Sequence, residues 1–222
     1  EKLYDTFTTT TTDVQGTTSS TTLTITINGT NDAPVISVTG SDTITATIPE
    51  TNAGLSTSGT LTLTDIDTSN LVSTSVVSVY ASGLTTGLVP NNAQLLAMLT
   101  ANGDLSNSQT TGKINWTFNS GDEAFDYLPF EQNLVLTYTV KANDGLVDSN
   151  LQNVTITITG TNDEGSIIAD VANVNEGNVL TGNVLDNDIP DPDYNEPLSI
   201  SSFTVDSSGD GNQNSYLPGE TA

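Results

Sequence analysis

Almost all the side chains of this protein that could do chemistry offer oxygen atoms as metal ligands. It has 222 residues, with 27 acidic side chains, three basic ones, and neither histidine nor cysteine. Without imidazole or thiolate, the usual zinc sites, disulfides and histidine-dependent catalytic triads are excluded. Carboxylate, amide and carbonyl oxygens are the ligands that calcium and magnesium prefer. The net charge of −24 also calls for a counter-cation, and we expect Ca²⁺, which is abundant outside cells, to supply it.

The same charge excludes several classes of partner. The only basic residues are Lys2, Lys113 and Lys141, whereas phosphate binding needs clustered lysine or arginine. We therefore expect no nucleic-acid partner and no attraction to an anionic membrane. No apolar run approaches the roughly 20 residues that span a bilayer, so we expect no membrane insertion. Since no signal peptide opens the chain and Glu1 lies in what looks like mid-domain, we expect a window of a longer protein.

The tetrapeptide Gly-Thr-Asn-Asp occurs twice, at 29–32 and at 160–163. Each copy follows a strand-like run of alternating apolar residues and threonine, and the copies lie 131 residues apart (163 − 32). The same offset aligns Phe7 with Tyr138 and Asp13 with Asp144. Matches at one offset indicate a tandem repeat, and alternation with period two predicts antiparallel β-sandwiches. We interpret each tetrapeptide as a joint between successive sandwich domains.

The joints divide the chain into three segments. Residues 1–32 are predicted to be the C-terminal part of one repeat plus its linker. Residues 33–163 are predicted to form a complete repeat with its linker, and residues 164–222 to be the N-terminal part of the next one. Two incomplete sandwiches would leave unpaired strand edges, so strand-swapped self-association through the end segments is a possible partner interaction.

Alternation and capping residues predict the individual elements. A helix is expected over 90–100, with Asn91 or Asn92 as its cap and Gly103 ending it. The strands expected in the middle segment are a first strand at 34–38 continued by 44–48, then 59–64, 72–80 and 114–118. The strands expected in the last segment are 167–175, 178–185 and 198–205. The side chains expected in the middle core are Trp116, Phe118, Phe125, Tyr127, Leu128 and Phe130.

Several runs resemble a known group of repeats. The run Ile-Pro-Glu-Thr-Asn at 48–52, followed by 59–67 ending in Asp65-Ile66-Asp67, resembles the start of a cadherin repeat. The run at 138–145, with the Thr-Asn-Asp linker, is similar to the end of one. More closely, the chain resembles the VCBS and cadherin-like repeats of giant bacterial RTX-type adhesins, through Trp116-Thr117-Phe118, Phe125-Asp126-Tyr127-Leu128 and Thr161-Asn162-Asp163.

The resemblance covers nearly all of 33–163 and implies both a fold and a function. The implied fold is all-β, with tandem Ig-like or cadherin-like antiparallel sandwiches, one complete central domain with a short helix, and partial domains at both ends. The implied function is a calcium-rigidified extender segment of a bacterial cell-surface or secreted adhesin, which supports adhesion and biofilm formation. Its partners would be neighbouring repeats of the same chain, the distal ligand would be bound elsewhere, and no enzymatic activity is expected.

The resemblance also implies metal ligands at both joints. At the first joint, Asp65, Asp67 and Asp144 of the middle domain would face Asn31 and Asp32 of the linker. At the second joint, two acids of the middle domain would face the linker and the third segment; this set is Glu50, Glu131, Asn162, Asp163, Asp191 and Asp193.

The sequence departs from the family pattern in two places, and it offers further oxygen donors beyond that pattern. Pro129 stands where cadherins have an acidic ligand, which predicts fewer ions per joint. Gly165 replaces the proline found at Pro34, which predicts a looser second joint. Asp186 and Asp188 are reserve ligands, and an oxygen-rich stretch from Asp206 to Asn214 resembles a calcium loop but lacks its glycine and terminal acid.

Three other functions remain open from the sequence. The middle domain could bind a glycan or protein partner through calcium, which a glycan array would reveal. The chain could be a spacer with no calcium dependence. Paired acids such as Asp122 and Glu123, or Asp126 and Glu131, could flank a glycosidic bond in a hydrolase, although nothing in the sequence supplies a cleft.

Overall fold

The computed structural model describes residues 2–205 and 214–217, and this part of the chain is nearly all β. The strands are β1 Lys2–Thr12, β2 Thr18–Asn28, β3 Val35–Ser37, β4 Thr45–Pro49, β5 Ser56–Thr64, β6 Ser73–Gly83, β7 Leu99–Asn102, β8 Thr111–Asn119, β9 Asn133–Asn143, β10 Gln152–Thr159, β11 Phe203–Val205 and β12 Asn214–Tyr216. One helix, α1, spans Asn92–Ala97.

Strands β3 to β10 form a sandwich of two four-stranded sheets, ordered β3-β5-β8-β7 and β4-β10-β9-β6. All neighbours are antiparallel except β4 and β10, which run parallel. This order is that of the Ig constant-type sandwich with one added strand, so the all-β sandwich prediction is confirmed. The prediction that 44–48 continues the first strand is wrong: β3 pairs with β5, whereas β4 crosses to β10 in the other sheet.

The core lies between the sheets because both contribute inward-facing apolar residues at alternate positions. Along β9 every second residue from Leu134 to Val140 is fully buried. Phe118 of the opposite sheet contacts Tyr138, with ring centroids 6.3 Å apart. The predicted core residues Trp116, Phe118, Phe125 and Leu128 are buried, and Tyr127 packs against them.

Phe130 is the exception among the predicted core residues, because it is 61% exposed. It lies in a turn closed by a hydrogen bond from the amide of Gln132 to the carbonyl of Pro129 (2.9 Å). This turn precedes β9, so Phe130 falls outside the alternation that buries the strand residues. The prediction of Phe130 as core is therefore wrong.

Helix α1 is shorter than predicted. Asn91 caps it by accepting from the amides of Ala93 and Gln94, and Gln94 completes a capping box. The helix ends before residue 99, and Leu99–Asn102 instead forms strand β7, which pairs with β8. Leu99 and Ala101 are both buried by this pairing, so burial in the sheet outweighs the helical spacing of the leucines.

Hairpin β1–β2 repeats the pairing of β9–β10. Lys2 pairs with Asn28 as Asn133 pairs with Thr159, which is the predicted offset (133 − 2 = 131 and 159 − 28 = 131). The apolar face of hairpin β1–β2 is exposed, whereas the matching face of β9–β10 is buried in the core. Leu3 and Ile27 are 63% and 53% exposed, because no sheet in the described part of the chain packs on that face.

The third segment contains little regular structure over its described residues. The strands predicted at 167–175 and 178–185 are not formed, and only Phe203–Val205 of the stretch 198–205 is a strand, paired with β12. Isolated alternation makes a strand only where a partner strand is available, and here Val171 is 90% exposed. These predictions are wrong for that reason.

No helix among the described residues is long and apolar enough to cross a membrane.

Candidate cation sites at the two joints

The first joint is built by an Asp-x-Asp turn that follows β5. The amide of Asp67 donates to Oδ1 of Asp65 (2.9 Å), and Oδ2 of Asp67 accepts from the amide of Asp32 in the linker (2.7 Å). Asp65 is 3% exposed, and its Oδ2 is buried without a hydrogen-bond partner. The turn therefore fixes the linker to the middle domain through a carboxylate and leaves another carboxylate oxygen free.

The linker asparagine connects this turn to the late loop of the same domain. The Asn31 side-chain amide donates to Oδ2 of Asp144 (2.8 Å). The other oxygen of Asp144 accepts from the amides of Leu146 and Val147, at 2.7 Å each. Burial by itself would raise the pKa of Asp144, but these hydrogen bonds from Val147, Asn31 and Leu146 hold it below its ordinary value. All five residues predicted at the first joint thus lie together.

The second joint repeats this arrangement. The amide of Asp193 donates to Oδ1 of Asp191 (2.9 Å), and the amide of Asp163 donates to Oδ2 of Asp193 (3.0 Å). The Asn162 side chain donates to the carbonyl of Asp163 (2.9 Å), as Asn31 does to that of Asp32 (3.1 Å). Linker and Asp-x-Asp turn therefore meet in the same way at both joints.

Glu50 brings the middle domain to the second joint, as predicted. It follows β4, and its amide donates to the carbonyl of Thr159 at the end of β10 (2.8 Å). Its Oε1 accepts from both the amide (2.8 Å) and the hydroxyl of Thr161. Glu50 is 1% exposed, and its Oε2 is buried without a partner.

Glu131, the other acid predicted there, does not join the site. It is exposed, with a backbone φ of 63°, and its amide donates to the carbonyl of Gly160 (3.2 Å). Asp126 lies in the site instead, with carboxylate oxygens of Glu50, Asp126 and Asp163 all within 4.8 Å of one another. The sequence offered Asp126 only within a resemblance motif and as a possible catalytic pair, so this residue was missed as a ligand.

A second group at the same joint consists of Asp191, Asp193 and Glu196, whose carboxylate oxygens also lie within 4.8 Å of one another. Asp193 is 3% exposed, and its Oδ1 is buried without a partner. Glu196 was not predicted, and its amide donates to the carbonyl of Asp193 (3.3 Å). The two groups are linked by the bond from Asp163 to Asp193.

Burial without counter-charge raises the pKa of three of these carboxyls. Burial is the main cause at Glu50, where the charges of Asp163 and Asp126 add to it against hydrogen bonds from Thr161. Burial and the charge of Asp163 likewise raise the pKa of Asp126. Burial leads at Asp193 as well, with the charge of Asp191 adding to it against the amide of Asp163.

The lysines lie elsewhere and do not compensate these charges. Lys113 pairs with Asp42 (2.7 Å), Lys141 pairs with Asp148 (2.9 Å), and Lys2 opens β1. The joint acids are therefore neutralised by no basic side chain among the described residues.

The second joint fits a hard divalent cation. Calcium bonds oxygen at about 2.3–2.6 Å, so ligand oxygens around one ion lie within roughly twice that distance of each other, as they do here. The free oxygens of Glu50, Asp126 and Asp163 are buried and unpartnered, which is costly for charged groups unless a cation is bound. The residues that would hold a cation are Glu50, Asp126 and Asp163 in one group, and Asp191, Asp193 and Glu196 in the other.

The reserve ligands have other roles. Oδ1 of Asp188 accepts from the amide of Ile168 (2.7 Å), and Asp186 accepts from the side chain of Asn183 (2.7 Å). Neither belongs to the two groups of acids described above. The possible calcium loop at 206–214 lies almost wholly outside the described residues.

Close packing explains the glycine at position 165, where the sequence predicted a looser joint. A Cβ there would lie 3.0 Å from the carbonyl oxygen of Ile189 and 3.1 Å from the amide of Asp191. Glycine therefore lets the linker approach the Asp-x-Asp turn. Whether this joint is looser than the first stays a prediction.

Comparisons with known proteins give structural likeness alone. No protein-family model matches the chain, and no curated protein matches it. A PapD-like domain of human CEP192 is 15% identical, with a TM-score of 0.35, over 60% of this chain and 89% of that one. The protocadherin gammaB7 EC3-6 structure is 16% identical (TM-score 0.37) over 78% of this chain and 37% of that one.

The CooA pilin subunit from enterotoxigenic Escherichia coli is 10% identical, with a TM-score of 0.31, over 59% of this chain and 98% of that one. These solved structures are Ig-like, cadherin-like and pilin-type β-sandwich domains. At this identity and TM-score they say nothing about function.

Proposed function

We propose that this chain is a calcium-stiffened extender segment of an extracellular bacterial adhesin, in which cations bound at the joints fix the angle between successive β-sandwich repeats. The segment binds no distal ligand itself and catalyses no reaction. Its partners are the neighbouring repeats of the same chain.

The observation that carries this proposal is the set of buried, unpartnered carboxylate oxygens at the second joint. Glu50 belongs to the sandwich, Asp163 to the linker and Asp193 to the next segment, and each has one such oxygen. Three parts of the chain therefore bring negative charge to two adjoining groups of acids, which are linked by the bond from Asp163 to Asp193. Cations bound in both groups would contact all three parts, whereas without them the same charges repel one another.

Calcium is the cation that this arrangement suits best. Calcium accepts six to eight oxygen ligands in flexible geometry, whereas magnesium demands a near-ideal octahedron and usually keeps several waters. The joint offers six carboxylates in two adjacent groups. Calcium in millimolar supply outside cells would keep such sites filled, which supports an extracellular location.

Bound calcium stabilises the folded joint by linkage. A ligand that binds only the folded state adds about 2.7 kcal/mol to the free energy of unfolding at a free concentration of 100 times Kd. The effect is lost on chelation, when the joint acids again repel each other. The function is thus mechanical: the segment is stiff in calcium and slack without it.

The first test is calcium binding by the whole chain. After exhaustive dialysis against chelator, we expect isothermal titration to show calcium uptake, and the melting temperature to rise when calcium is restored. Asp163→Asn should reduce both effects, because it removes the linker charge that faces Glu50 and Asp126. Asp170→Asn is the matched control, since Asp170 is an exposed acid of the neighbouring segment.

Two results would contradict the proposal. One is a dialysed wild-type protein that takes up no calcium. The other is an equal loss of binding in Asp163→Asn and Asp170→Asn, which would indicate diffuse attraction to a negative surface rather than a built site.

A further inference from the structure

The free edge of strand β2 lies beside an exposed apolar face. Among the described residues, β1 and β2 form a two-stranded sheet, so β2 has a neighbour on one edge only. Ile25 and Ile27 are 44% and 53% exposed, whereas the matching Ile156 and Ile158 (25 + 131 and 27 + 131) are fully buried. An open strand edge beside apolar side chains is a template for pairing with another strand.

The middle domain shows which strand pairs with such an edge. Strand β10 is the counterpart of β2 at the offset of 131 residues, and it has β9 on one side and β4 on the other. Strand β4 runs parallel to β10, with Ala46 opposite Ile156 and Ile48 opposite Ile158. The partner expected for β2 is therefore a strand equivalent to β4.

The third segment contains a sequence equivalent to β4. The Asp-x-Asp turns at 65–67 and 191–193 are 126 residues apart (191 − 65), and the same offset aligns Glu50 with Glu176 (176 − 50). Strand β4 directly precedes Glu50. The offset therefore aligns β4 with residues 171–175, whose sequence is Val-Ala-Asn-Val-Asn.

Residues 171–175 keep the inward-facing positions of β4 but lie in no strand of the described structure. Ala46 and Ile48, which pack against the middle core, correspond to Ala172 and Val174. Val174 is 51% exposed. The chain therefore carries an open edge near one end, and near the other end the sequence that fills the same edge in the middle domain.

The two surfaces cannot meet in this way within one chain. Strand β9 runs from the second joint to the first, and its 11 residues extend over roughly 35 Å at about 3.3 Å per residue. Val171 is eight residues beyond Asp163 (171 − 163), which reaches at most about 29 Å. To pair with β2, Val171 would have to lie beyond the first joint, so the partner strand must come from another chain.

We propose that residues 171–175 of one copy add as a parallel strand to the free edge of β2 in a second copy, so that the chains associate head to tail. In the register of β4 and β10, Ala172 lies opposite Ile25 of the second copy and Val174 lies opposite Ile27. The contact satisfies open backbone groups of β2 and covers part of its apolar face.

The pairing also brings to the first joint an acid that the described residues of one chain do not supply there. At the second joint, Oε1 of Glu50 accepts from the amide of Thr161 (2.8 Å). The counterparts of this pair at the two offsets are Glu176 of one copy and Thr30 of the other, and both are exposed. Glu176 would therefore occupy, at the first joint of the second copy, the place that Glu50 has at the second joint.

The absence of cysteine from the chain allows this register to be tested by disulfide trapping. Thr26 and Asn173 correspond to Thr157 and Thr47, which are paired in the middle domain. Neighbouring strands lie about 4.8 Å apart, within the range of Cα separations that a disulfide bridges. Full-length Thr26→Cys and Asn173→Cys are mixed under mild oxidation, and we expect a dimer linked from position 26 to position 173.

Mass spectrometry of the linked peptides identifies this dimer, and one cysteine per variant rules out a link within one chain. Thr22→Cys is the matched control, because Thr22 shares a strand face with Thr26 but lies four residues, or about 13 Å, away along β2. Mixed with Asn173→Cys, it should link at least about tenfold less. Equal linking from positions 22 and 26 would overturn the inference, because it would indicate unspecific collision.

A pair of proline variants tests the backbone hydrogen bonds of the same contact. The amide of Glu50 donates to the end of β10, and amides that point to one neighbour alternate along a strand. At the offset of 126, Val174 therefore donates to β2 whereas Asn173 does not. Val174→Pro should weaken association by about tenfold or more, and Asn173→Pro should stay within about threefold of wild type.

Sedimentation equilibrium over a concentration series measures both associations. The buffer contains calcium at high ionic strength, which screens the repulsion between copies with a net charge of −24. A wild-type chain that keeps the 23.1 kDa mass of one copy at every concentration would overturn the inference and leave the edge of β2 to a different partner. An equal effect of the two prolines would also overturn it, because the proposed register would then be wrong.

Discussion

At the scale of single residues, the carboxylates fall into two kinds that look alike in the sequence. Some are satisfied by protein hydrogen bonds. Asp42 accepts from the ammonium of Lys113 (2.7 Å) and from the hydroxyls of Thr60 (2.7 Å) and Thr62 (2.6 Å). Others, such as Glu50 and Asp126, keep a buried oxygen with no donor. The first kind stabilises the sandwich as it stands, and the second kind would be stabilised by the proposed cation.

Asp42 yields a prediction about acid stability. Burial alone would raise its pKa, but hydrogen bonds from Lys113, Thr62 and Thr60 hold it well below the ordinary 3.8. A carboxyl with a depressed pKa in the folded state stabilises fully above its unfolded value, and this stability is lost as pH falls through the folded pKa. Asp42→Asn should lower the free energy of unfolding at neutral pH by about 1–3 kcal/mol.

The same variant should also make the free energy of unfolding depend less on pH in acid. Below the ordinary value of 3.8, wild type loses the contribution of Asp42, so the difference between the two proteins should shrink. Denaturant unfolding over a pH series measures this difference. Asp104→Asn, at an exposed acid, should follow wild type throughout; a constant gap between wild type and Asp42→Asn would contradict the assignment.

The ligand set shows how far single residues could be predicted. The Asp-x-Asp turns and the linker Asn-Asp pairs were predictable, because the same short pattern occurs at both joints and the hydrogen bond within each turn joins residues two apart. The sequence did not predict that Asp126, and not Glu131, lies in the second joint. That placement depends on the left-handed backbone of Phe125 (φ of 68°) and on which turn of the loop faces Glu50, and neither property has a signature in one sequence.

At the scale of elements, repetition predicted more than periodicity did. The register of β1–β2 follows directly from that of β9–β10 at the offset of 131 residues. Periodicity alone misplaced β7, where leucines at helical spacing are buried by pairing with β8. It also predicted strands at 167–185, where the alternating residues have no partner strand in the described part of the chain.

The glycine of the second tetrapeptide gives a prediction at this scale. A Cβ on Gly160 would lie 2.2 Å from the carbonyl oxygens of both Leu128 and Pro129, so the end of β10 passes against the loop that contains Asp126. Gly160→Ala should cost about 1–3 kcal/mol of stability, as overpacking typically does. It should also weaken calcium binding, because the linker and the loop must move apart.

Gly182→Ala is the control for this prediction. A Cβ on Gly182 meets nothing within 4 Å, so this variant should unfold and bind calcium like wild type. Chemical denaturation and isothermal titration of both variants check the expectation. Equal stability of the two variants would show that the loop accommodates the added methyl group freely.

At the scale of the whole molecule, the joints determine how the segments are held. The linker meets the Asp-x-Asp turn by the same hydrogen bonds at residues 31–67 and again at 162–193. With a net charge of −24, the chain has no internal means of neutralising both joints. Under the proposed function, calcium concentration would control the flexibility of the second joint, where the two groups of acids lie; that the first joint responds in the same way stays a prediction.

Absence of cysteine allows this flexibility to be measured with spin labels. Cysteines introduced at the exposed Ser78 and Ser201 would report the distance across the second joint. We expect a narrow distance distribution in calcium and a broad one in chelator. Asp163→Asn combined with Asp193→Asn should keep the distribution broad in calcium, because both charges at the joint are lost.

A matched change at the first joint completes the experiment. Asp65→Asn with Asp67→Asn should leave the distribution across the second joint narrow in calcium, and the middle domain should still fold. If this first-joint variant broadened the distribution as much as the second-joint variant, stiffness would not be a local property of each joint.

The parallel pairing of β4 with β10 has a consequence for a segment under tension. The chain enters the middle domain through β3, which pairs with β5, continues into β4, and leaves after β10. Strands β4 and β10 lie side by side from Thr45–Thr155 to Pro49–Thr159. Pulling on the two ends would slide one strand along the other, so their hydrogen bonds would resist together rather than open one at a time. Flowing water would thus load this pair in shear, and the sandwich could hold its shape while the joints take up the bending.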